Sequence, residues 1–424
     1  MSTAIASKRK KIYDHLDENT LFILFSGKSP HLSADSYYHY EPNRNFFYLT
    51  GISQENTIFV AIKSQKKTEE YLFIEKNDPV VAKWTGKKLD KEEATKLSTI
   101  DQIFYVEDFE RKLHDLIKNY SGEIKHLALD LFKHKHIDDN TLAHKFISFA
   151  RENYPQFNLL DASKMIFQQR SIKSKAEVQE IKKAIRYTKD AYELLLKNAS
   201  SCKSENEMEA FIDFSFKQNN VRKAFDTICA SGKNATVLHY VDNNGPLKPD
   251  QLILFDFGAR KNYYCADISR TFPVGGTFSP RQREIYEIVL HTLKSTVQIM
   301  KPGISMKFVN EHAKKQLIEG AKKIGLIEKD EDIANYYYHS IGHPLGLDTH
   351  DPSGREVVLQ PGMVFTCEPG LYVEEEEIGV RIEDDILITL DGNVNLSKDL
   401  IKEIDDIEAF MAPYTKQWKR GEEE

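Results

Sequence analysis

The side chains best suited to chemistry are four carboxylates and one imidazole in the C-terminal half of the chain: Asp256, Asp267, His343, Glu368 and Glu383. Hard oxygen donors with a single imidazole suit Mn²⁺, Co²⁺ or Zn²⁺ and do not suit copper. Carboxylates can bridge two such ions, and an ion pair of this kind activates water against a carbonyl or phosphoryl group. These residue types therefore predict metal-assisted hydrolysis of an amide or a phosphate ester, without choosing between the two.

The spacing of the first two aspartates is the most informative feature. Asp256 ends an apolar run typical of a buried strand, and Asp267 lies in a second strand-like run. A two-residue turn at Lys261-Asn262 would pair residue 256 with residue 267 and place both carboxylates on one face, with Cβ atoms roughly 5 Å apart. Like charges there repel each other. Either one aspartate is protonated or paired with Arg270, or a metal ion binds between them.

His343 lies in a histidine-rich segment, residues 339–351, whose glycines favour a loop. His339 and His343 have the i,i+4 spacing of a helical zinc pair. No glutamate follows His339, however, and Pro344 disfavours helix at His343, so the segment is not a helical zinc motif. Histidines also occur on surfaces without a function, but functional residues are concentrated on loops.

Two glutamates complete the set of candidate ligands. Glu368 ends a strand-like run directly before Pro369-Gly370, where it is placed like a ligand, and an exposed turn glutamate is the alternative. Glu383 follows an alternating apolar–polar run and shares one strand face with Arg381. The alternative for this pair is a surface ion pair of little energetic value.

The elements around these residues predict an α+β chain with a smaller α/β domain at 1–170 and a second domain at 171–424. Predicted strands of the first domain cover 21–25, 45–49, 57–62, 71–74 and 126–131, and its helices cover 5–17, 107–119 and 140–153. Predicted strands of the second cover 252–258, 262–272, 363–368 and 378–390, and its helices cover 175–199, 205–218, 280–300 and 306–325. Ser174 and Glu177 form a capping-box pattern after the aperiodic stretch 165–174.

Length, charge and cysteine use limit the class of protein. The chain has 424 residues and a net charge of −7, which favours two domains and argues against nucleic acid as a partner. No run approaches the ~20 apolar residues of a membrane span, and the N-terminus lacks the apolar core of a signal peptide. Four cysteines without CxxC spacing indicate reduced thiols in a cytoplasmic protein and no structural zinc site.

Several motifs together resemble the pita-bread metallopeptidases, which include methionine aminopeptidase, prolidase and aminopeptidase P. The motifs are D-F-G-x8-D-I-S-R-T-F, H-x-I-G-H-P-L-G-L-D-x-H-D, C-E-P-G-L-Y and G-V-R-I-E-D-D. The blocks at 37–51 and 83–87 resemble the N-terminal domain of aminopeptidase P and bacterial prolidases. The resemblance implies an α/β N-terminal domain before a C-terminal pita-bread (creatinase/aminopeptidase) catalytic domain. Methionine aminopeptidase itself lacks the long N-terminal domain.

The resemblance also implies roles for the candidate ligands. Asp256 would chelate one metal ion, Asp267 and Glu383 would bridge both ions, and His343 and Glu368 would hold the other. A metal-bridging hydroxide would attack the carbonyl before proline, and Glu368 would also shuttle its proton. The ions expected are two Mn²⁺, with Co²⁺ or Zn²⁺ as alternatives.

Further residues are implied to contact the substrate. His239 would lie near the scissile bond and His350 would stabilise the oxyanion, while His339 and Arg381 match other pocket residues. Trp84 would line the site of a neighbouring subunit, which implies a homodimer or homotetramer.

One position departs from the family pattern. Many relatives have a tyrosine whose hydroxyl touches the metal ligands where this chain has Phe225. Such a loss next to a metal site can cost about 10- to 100-fold in metal affinity or activity. The expected activity is that of an Xaa-Pro aminopeptidase acting on peptides with proline at the second position. The alternatives are an Xaa-Pro dipeptidase (prolidase) and a catalytically dead binding module on the same fold.

Overall fold

The computed structural model describes residues 2–120, 122–354 and 356–415. The chain divides into two compact units at the peptide bond between Arg170 and Ser171. Within the described residues, no helix has both the length and the apolar character needed to cross a membrane.

The first unit is a mixed α/β structure. Its helices are α1 (Ser2–His15), α2 (Arg44–Thr50), α3 (Pro79–Thr85), α4 (Lys91–Ser98), α5 (Phe109–Asn119), α6 (Leu142–Asn153) and α7 (Ser163–Ser171). Its strands are β1 (Thr20–Phe25), β2 (His31–Ser33), β3 (Ser36–Tyr37), β4 (Ile58–Lys63), β5 (Thr68–Ile74), β6 (Gln102–Tyr105), β7 (His126–Leu129) and β8 (Asn158–Asp161). A mixed sheet has the order β6-β5-β4-β1-β7-β8. Alternate residues of β1, Leu21 and Ile23, share one buried cluster with Leu113 of α5, as the period of two in a strand requires.

The predicted strand at 45–49 is wrong, because this segment forms α2. The side chain of Asn43 caps the helix by accepting a hydrogen bond from the Phe46 N–H at 2.8 Å, and Gly51, with φ of 69°, ends it. Most of this short helix is buried, so its sequence lacks the one-sided apolar pattern of a surface helix. The sequence pattern also missed β6, β8, α3 and α4, and much of the aperiodic stretch 165–174 belongs to α7.

The second unit carries the candidate site. Its helices are α8 (Lys175–Asn198), α9 (Glu205–Gln218), α10 (Pro280–Ile299), α11 (Met306–Lys323) and α12 (Ile404–Met411). Its strands are β9 (Arg222–Lys223), β10 (Ile228–Ser231), β11 (Leu252–Phe257), β12 (Ala259–Lys261), β13 (Tyr264–Cys265), β14 (Ile268–Pro273), β15 (Val364–Cys367), β16 (Gly370–Val373), β17 (Ile378–Arg381), β18 (Asp384–Ile388) and β19 (Asn393–Asn395). They form sheets in the orders β10-β11-β14, β13-β12-β9, β15-β18-β19 and β16-β17.

Local signals for the helices of this unit are confirmed. The Ser174–Glu177 capping box is present at the start of α8. Ser279 caps α10 and Pro280 occupies its first turn, where the missing N–H of proline costs nothing. The predicted helices at 280–300 and 306–325 match α10 and α11 to within two residues.

The hairpin that carries the two aspartates has a different register from the predicted one. Its turn residues are Asn262 and Tyr263, both with positive φ, rather than Lys261-Asn262. Asp256 is therefore paired with Ser269 and not with Asp267. A shift of two residues keeps every side chain on its original face, because the side-chain period of a strand is two. The prediction of facing aspartates is wrong in register, although both still lie on the same face.

Candidate metal centre and active site

Asp256 and Asp267 approach each other where two chain segments come unusually close. A Cβ atom added to Gly258 would lie 1.8 Å from the carbonyl oxygen of Ala266, so only glycine permits this approach. Asp267 follows directly, is almost fully buried, and donates its backbone N–H to Asp385 Oδ2 at 3.3 Å. The close approach thus brings the second aspartate beside the first.

His343 and Glu368 are both fixed by strand β15. The Thr366 N–H donates to the His343 carbonyl at 2.9 Å, and the His343 N–H donates to Thr366 Oγ1 at 3.1 Å. The Glu368 N–H donates to the Ile341 carbonyl at 2.9 Å. Gly342 passes so close to β15 that a Cβ atom there would lie 2.2 Å from the Thr366 carbonyl oxygen. The histidine-rich segment is therefore a loop pinned against a strand, as predicted.

The candidate ligands converge. His343 Nε2 lies 3.3 Å from Asp267 Oδ2 and 3.7 Å from Glu368 Oε1. One donor atom from each of Asp267, His343 and Glu383 lies within 4.8 Å of the other two. Asp256 and Glu368 line the same cavity, which has a volume of about 500 Å³. The structure thus brings together all five residues that the sequence suggested as ligands.

Arg381 holds one side of this cluster in place. Its Nη2 donates to Asp256 Oδ2 at 2.8 Å, its Nη1 donates to Tyr372 Oη at 3.0 Å, and its Nε donates to Ser269 Oγ at 2.7 Å. Ser269 Oγ in turn donates to Glu383 Oε2 at 2.9 Å. Arg381 and Glu383 are buried, so the alternative of a surface ion pair between them is wrong.

Sequence reasoning missed Ser269 and Tyr372. Ser269 lies two residues after Asp267 and so on the same face, and this spacing was a signal that could have identified it. Tyr372 Oη contacts both Arg381 and His339, whose Nε2 lies 2.8 Å away. No spacing along the chain connects Tyr372 with these two residues.

Burial and mutual repulsion alter the ionisation of the cluster. The pKa values of Asp267 and Glu383 are raised well above their usual range, first by burial and then by the neighbouring carboxylates. The pKa of Glu368 is also raised, mainly by burial. Burial lowers the pKa of His339 and of His350 to about 4, helped by Arg381 and by His343 respectively. Both imidazoles are therefore neutral near pH 7 and can each donate one N–H.

These features fit divalent cations. Asp256 Oδ1 is buried without a hydrogen-bond partner in the part of the chain that the structure describes. Buried oxygens without a donor and carboxyls that resist ionisation are both stabilised by a nearby cation. Arg270 does not fill this role, because it pairs with Asp384 at 2.7 Å. The alternative in which Arg270 neutralises Asp256 or Asp267 is therefore wrong.

The remaining predicted site residues of the second unit also line the cavity. Its wall includes His239, His339, His350 and Arg381, with Phe225 at the position of the family tyrosine. The rings of His343 and His350 are stacked with centroids 3.8 Å apart. Trp84 belongs to α3 of the first unit, where its side chain is 86% exposed.

Family models match both parts of the chain. A model of metallopeptidase family M24 matches residues 179–390, and a model of the aminopeptidase P N-terminal domain matches residues 5–124. The chain belongs to metallopeptidase family M24. The predicted relationship and the predicted metallo-exopeptidase class are confirmed. Membership of this family implies divalent metal ions, in agreement with the cluster described above.

Curated relatives and solved structures resemble this M24 peptidase over nearly its full length. It is 31% identical to the Xaa-Pro aminopeptidase of Haemophilus influenzae, across 95% of this chain and 96% of the relative. A candidate aminopeptidase P from Bacillus anthracis is 47% identical with a TM-score of 0.95, covering 97% of this chain and 99% of that one. Aminopeptidase P from Escherichia coli with the inhibitor Pro-Leu is 28% identical with a TM-score of 0.90, covering 98% and 99%. The predicted α+β fold with its two-domain plan is confirmed.

Proposed function

We propose that this M24 peptidase is an Xaa-Pro aminopeptidase that uses two divalent metal ions to remove the N-terminal residue from peptides with proline at the second position. The observation that carries the proposal is the convergence of four carboxylates and one imidazole in a single cavity of about 500 Å³. Curated relatives of this activity from Haemophilus influenzae and Escherichia coli match 95% and 97% of the chain. We assign catalysis to the second unit, because all five candidate ligands belong to it.

The net charge of the cluster can accommodate two divalent ions. Among the described residues that line the cavity, Asp256, Asp267, Glu368 and Glu383 face one guanidinium, that of Arg381, which leaves three net negative charges when all four carboxylates are ionised. One divalent ion would leave one net negative charge, whereas two would leave one net positive charge that a hydroxide can balance. When bound, such a pair acidifies water to a hydroxide nucleophile near neutral pH and polarises the scissile carbonyl. We propose Mn²⁺ as the ion, with Co²⁺ or Zn²⁺ as substitutes.

The chain's own residues supply the rest of the chemistry. His350, which is neutral near pH 7, and His239 at the cavity wall can each donate an N–H to the oxygen that becomes negative in the transition state. Glu368 sits at the end of β15 with a raised pKa, so its carboxylate can accept a proton and pass it to the departing proline nitrogen. Arg381 keeps Asp256 in place through its 2.8 Å ion pair.

Three substrates test the proposal: Ala-Pro-Ala, Ala-Pro and Ala-Ala-Ala, each supplied with Mn²⁺. We expect release of alanine from Ala-Pro-Ala well above the other two. Cleavage of Ala-Pro alone would identify a prolidase, and metal binding without any cleavage would identify a catalytically dead module. Asp267→Ala should abolish turnover, whereas Asp406→Ala, at an exposed carboxylate of α12, should leave it unchanged.

We also propose that the protein assembles into a homodimer or homotetramer in which Trp84 reaches the site of another copy. The short helix α3 exposes Val80, Val81 and Trp84 to 66%, 48% and 86%, and burial of such apolar surface favours association. Light scattering gives the oligomeric state, and Trp84→Ser should lower kcat/KM without changing metal content. An unchanged kcat/KM would exclude Trp84 from the site.

A further inference from the structure

Glu205 is a fully buried carboxylate at the first position of α9. Within the described residues it accepts hydrogen bonds from five uncharged donors. Its Oε1 accepts from Ser231 N at 2.7 Å, Ser231 Oγ at 2.9 Å and Asn234 Nδ2 at 3.0 Å. Its Oε2 accepts from Gly245 N at 2.7 Å and Tyr240 Oη at 2.8 Å. A helix start favours a negative charge, and a buried carboxylate is stable when donors fill its lone pairs.

All five donors belong to one segment, residues 231–245, which we call the His239 loop. The loop leaves β10 at Ser231, and its far end at Gly245 returns to the same side chain. The backbone N–H of Glu205 also donates to the Gly245 carbonyl at 2.9 Å. One residue of α9 therefore ties together the two ends of a loop that encloses His239.

The middle of the His239 loop forms part of the cavity wall. Leu238, His239 and Val241 line the cavity, and Val241 is 51% exposed. Tyr240, the residue after His239, is one of the four loop residues that donate hydrogen bonds to Glu205. Apolar packing holds Leu238 and Tyr240 only in part, against the cluster around Leu254. The hydrogen bonds of Glu205 therefore act directly beside the histidine.

We propose that Glu205 is a positioning residue for the active site, which acts by holding the His239 loop so that His239 stays at the cavity wall. The proposal rests on the aminopeptidase function proposed above. Glu205 does not line the cavity itself, so its effect on turnover is indirect, and the dependence on His239 tests whether it passes through the loop.

The isosteric change Glu205→Gln tests whether Glu205 holds the His239 loop in place. Three donors surround Oε1, so the amide oxygen of glutamine would take that position and its NH₂ group would face Gly245 N and Tyr240 Oη. The tyrosine hydroxyl can rotate to accept a hydrogen bond, but the Gly245 N–H cannot. The Gly245 end of the loop must therefore move, to separate the Gly245 N–H from the NH₂ group of the glutamine. A displacement of about 1 Å near the reacting atoms can lower turnover by roughly 100-fold.

A double-mutant cycle measures whether Glu205 acts through His239. We expect Glu205→Gln to lower kcat/KM on Ala-Pro-Ala by about 10- to 100-fold in the wild-type background, and by less than about twofold in the His239→Ala background. Tyr240→Phe, which removes one donor and keeps the carboxylate, should give a smaller loss with the same dependence on His239. Equal losses in both backgrounds would overturn the proposal.

Hydrogen exchange supplies a readout that does not need activity. Amides of residues 231–245 should exchange faster in Glu205→Gln than in the wild type, and unchanged exchange would also overturn the proposal. The matched control is Glu70→Gln in the first unit, which loses partners of its own, Arg9 and Tyr13, and should leave both the loop and kcat/KM unchanged. If the wild type cleaves no Xaa-Pro peptide, the proposed function fails. The comparison of hydrogen exchange between the wild type and Glu205→Gln still tests whether Glu205 holds the loop.

Discussion

Replacing Asp267 with asparagine should make the metal-free protein more stable and abolish its activity. Asp267 and Glu383 are almost fully buried, and their donor atoms lie within 4.8 Å of each other. At that distance and an effective dielectric constant of about 20, two carboxylates repel by about 3.5 kcal/mol. Proton uptake at pH 7.5 would cost about 5 kcal/mol, since an unfolded aspartate has a pKa of about 3.9. Burial of the charge adds to this repulsion, so the cost of proton uptake is the upper limit of the penalty and the repulsion is the part that a neighbouring carboxylate causes.

The gain expected from Asp267→Asn is about 1–3 kcal/mol in EDTA at pH 7.5, because Arg381 already offsets part of the repulsion. The pKa of Asp267 is raised in the folded state, so its penalty appears only as the pH rises above the unfolded pKa. At pH values well below about 3.9 the carboxyl is protonated in both states, and the two proteins should differ little. With Mn²⁺ at about 1,000 times its dissociation constant, the wild type gains about 4.1 kcal/mol and the order of stability reverses.

Guanidinium chloride unfolding with EDTA and with Mn²⁺ measures these differences. The matched control is Asp384→Asn, a carboxylate buried to the same degree but paired with Arg270 at 2.7 Å and Lys402 at 2.9 Å. Its loss leaves two cations without their carboxylate and should cost about 3–5 kcal/mol, with or without metal. If Asp267→Asn were as destabilising as Asp384→Asn in EDTA, the assignment of a repulsive, cation-binding cluster would be refuted.

Three further changes have defined outcomes. Ser269→Ala removes the hydroxyl that joins Arg381 to Glu383, and it should weaken Mn²⁺ binding by about 10- to 100-fold in a calorimetric titration, with unchanged affinity as the contrary result. Lys173→Met leaves the buried carboxylate of Asp351 without its 3.0 Å cation and should cost about 3–5 kcal/mol by denaturant unfolding. The double variant Lys173→Met with Asp351→Leu should recover most of this loss, and additive losses would contradict the pairing. His350→Ala should lower kcat more than it raises KM, because its N–H acts in the transition state; steady-state kinetics with unchanged kcat would exclude that role.

The two aspartates could be singled out because each interrupts an apolar run, whereas His343, Glu368 and Glu383 gained their roles from the resemblance to the family motifs. Asp256 and Glu368 lie at strand ends, and such a carboxylate must be neutralised in some way. The register of the hairpin was not predictable to the residue. The turn residues with positive φ are Asn262 and Tyr263, whereas the predicted turn residues were Lys261 and Asn262. Nothing in these residue types excludes the predicted turn. The error was harmless to the site, since a shift of two residues preserves the face.

The polar support of the ligands could not be predicted, because its members come from separate strands. Arg381 of β17 joins Asp256 of β11 to Ser269 of β14 and Tyr372 of β16. Strand pairing alone decides that these side chains meet, and no fixed spacing along the chain encodes it. The aromatic run of α2 failed for a related reason, since burial on nearly all sides removes the periodicity that distinguishes a helix from a strand.

The run Glu383-Asp384-Asp385 shows how the fold selects one ligand from three adjacent acids. Asp384 faces away from the cavity, and Arg270 and Lys402 already neutralise it. Asp385 returns to the side of Glu383, where its Oδ2 accepts the backbone N–H of Asp267 and so supports the ligand instead of joining it. Glu383 alone reaches the cavity, with Ser269 fixing one of its oxygens. Residue type cannot separate these roles, but position in the fold does, because Glu383 is the one of the three that lines the cavity with the other candidate ligands.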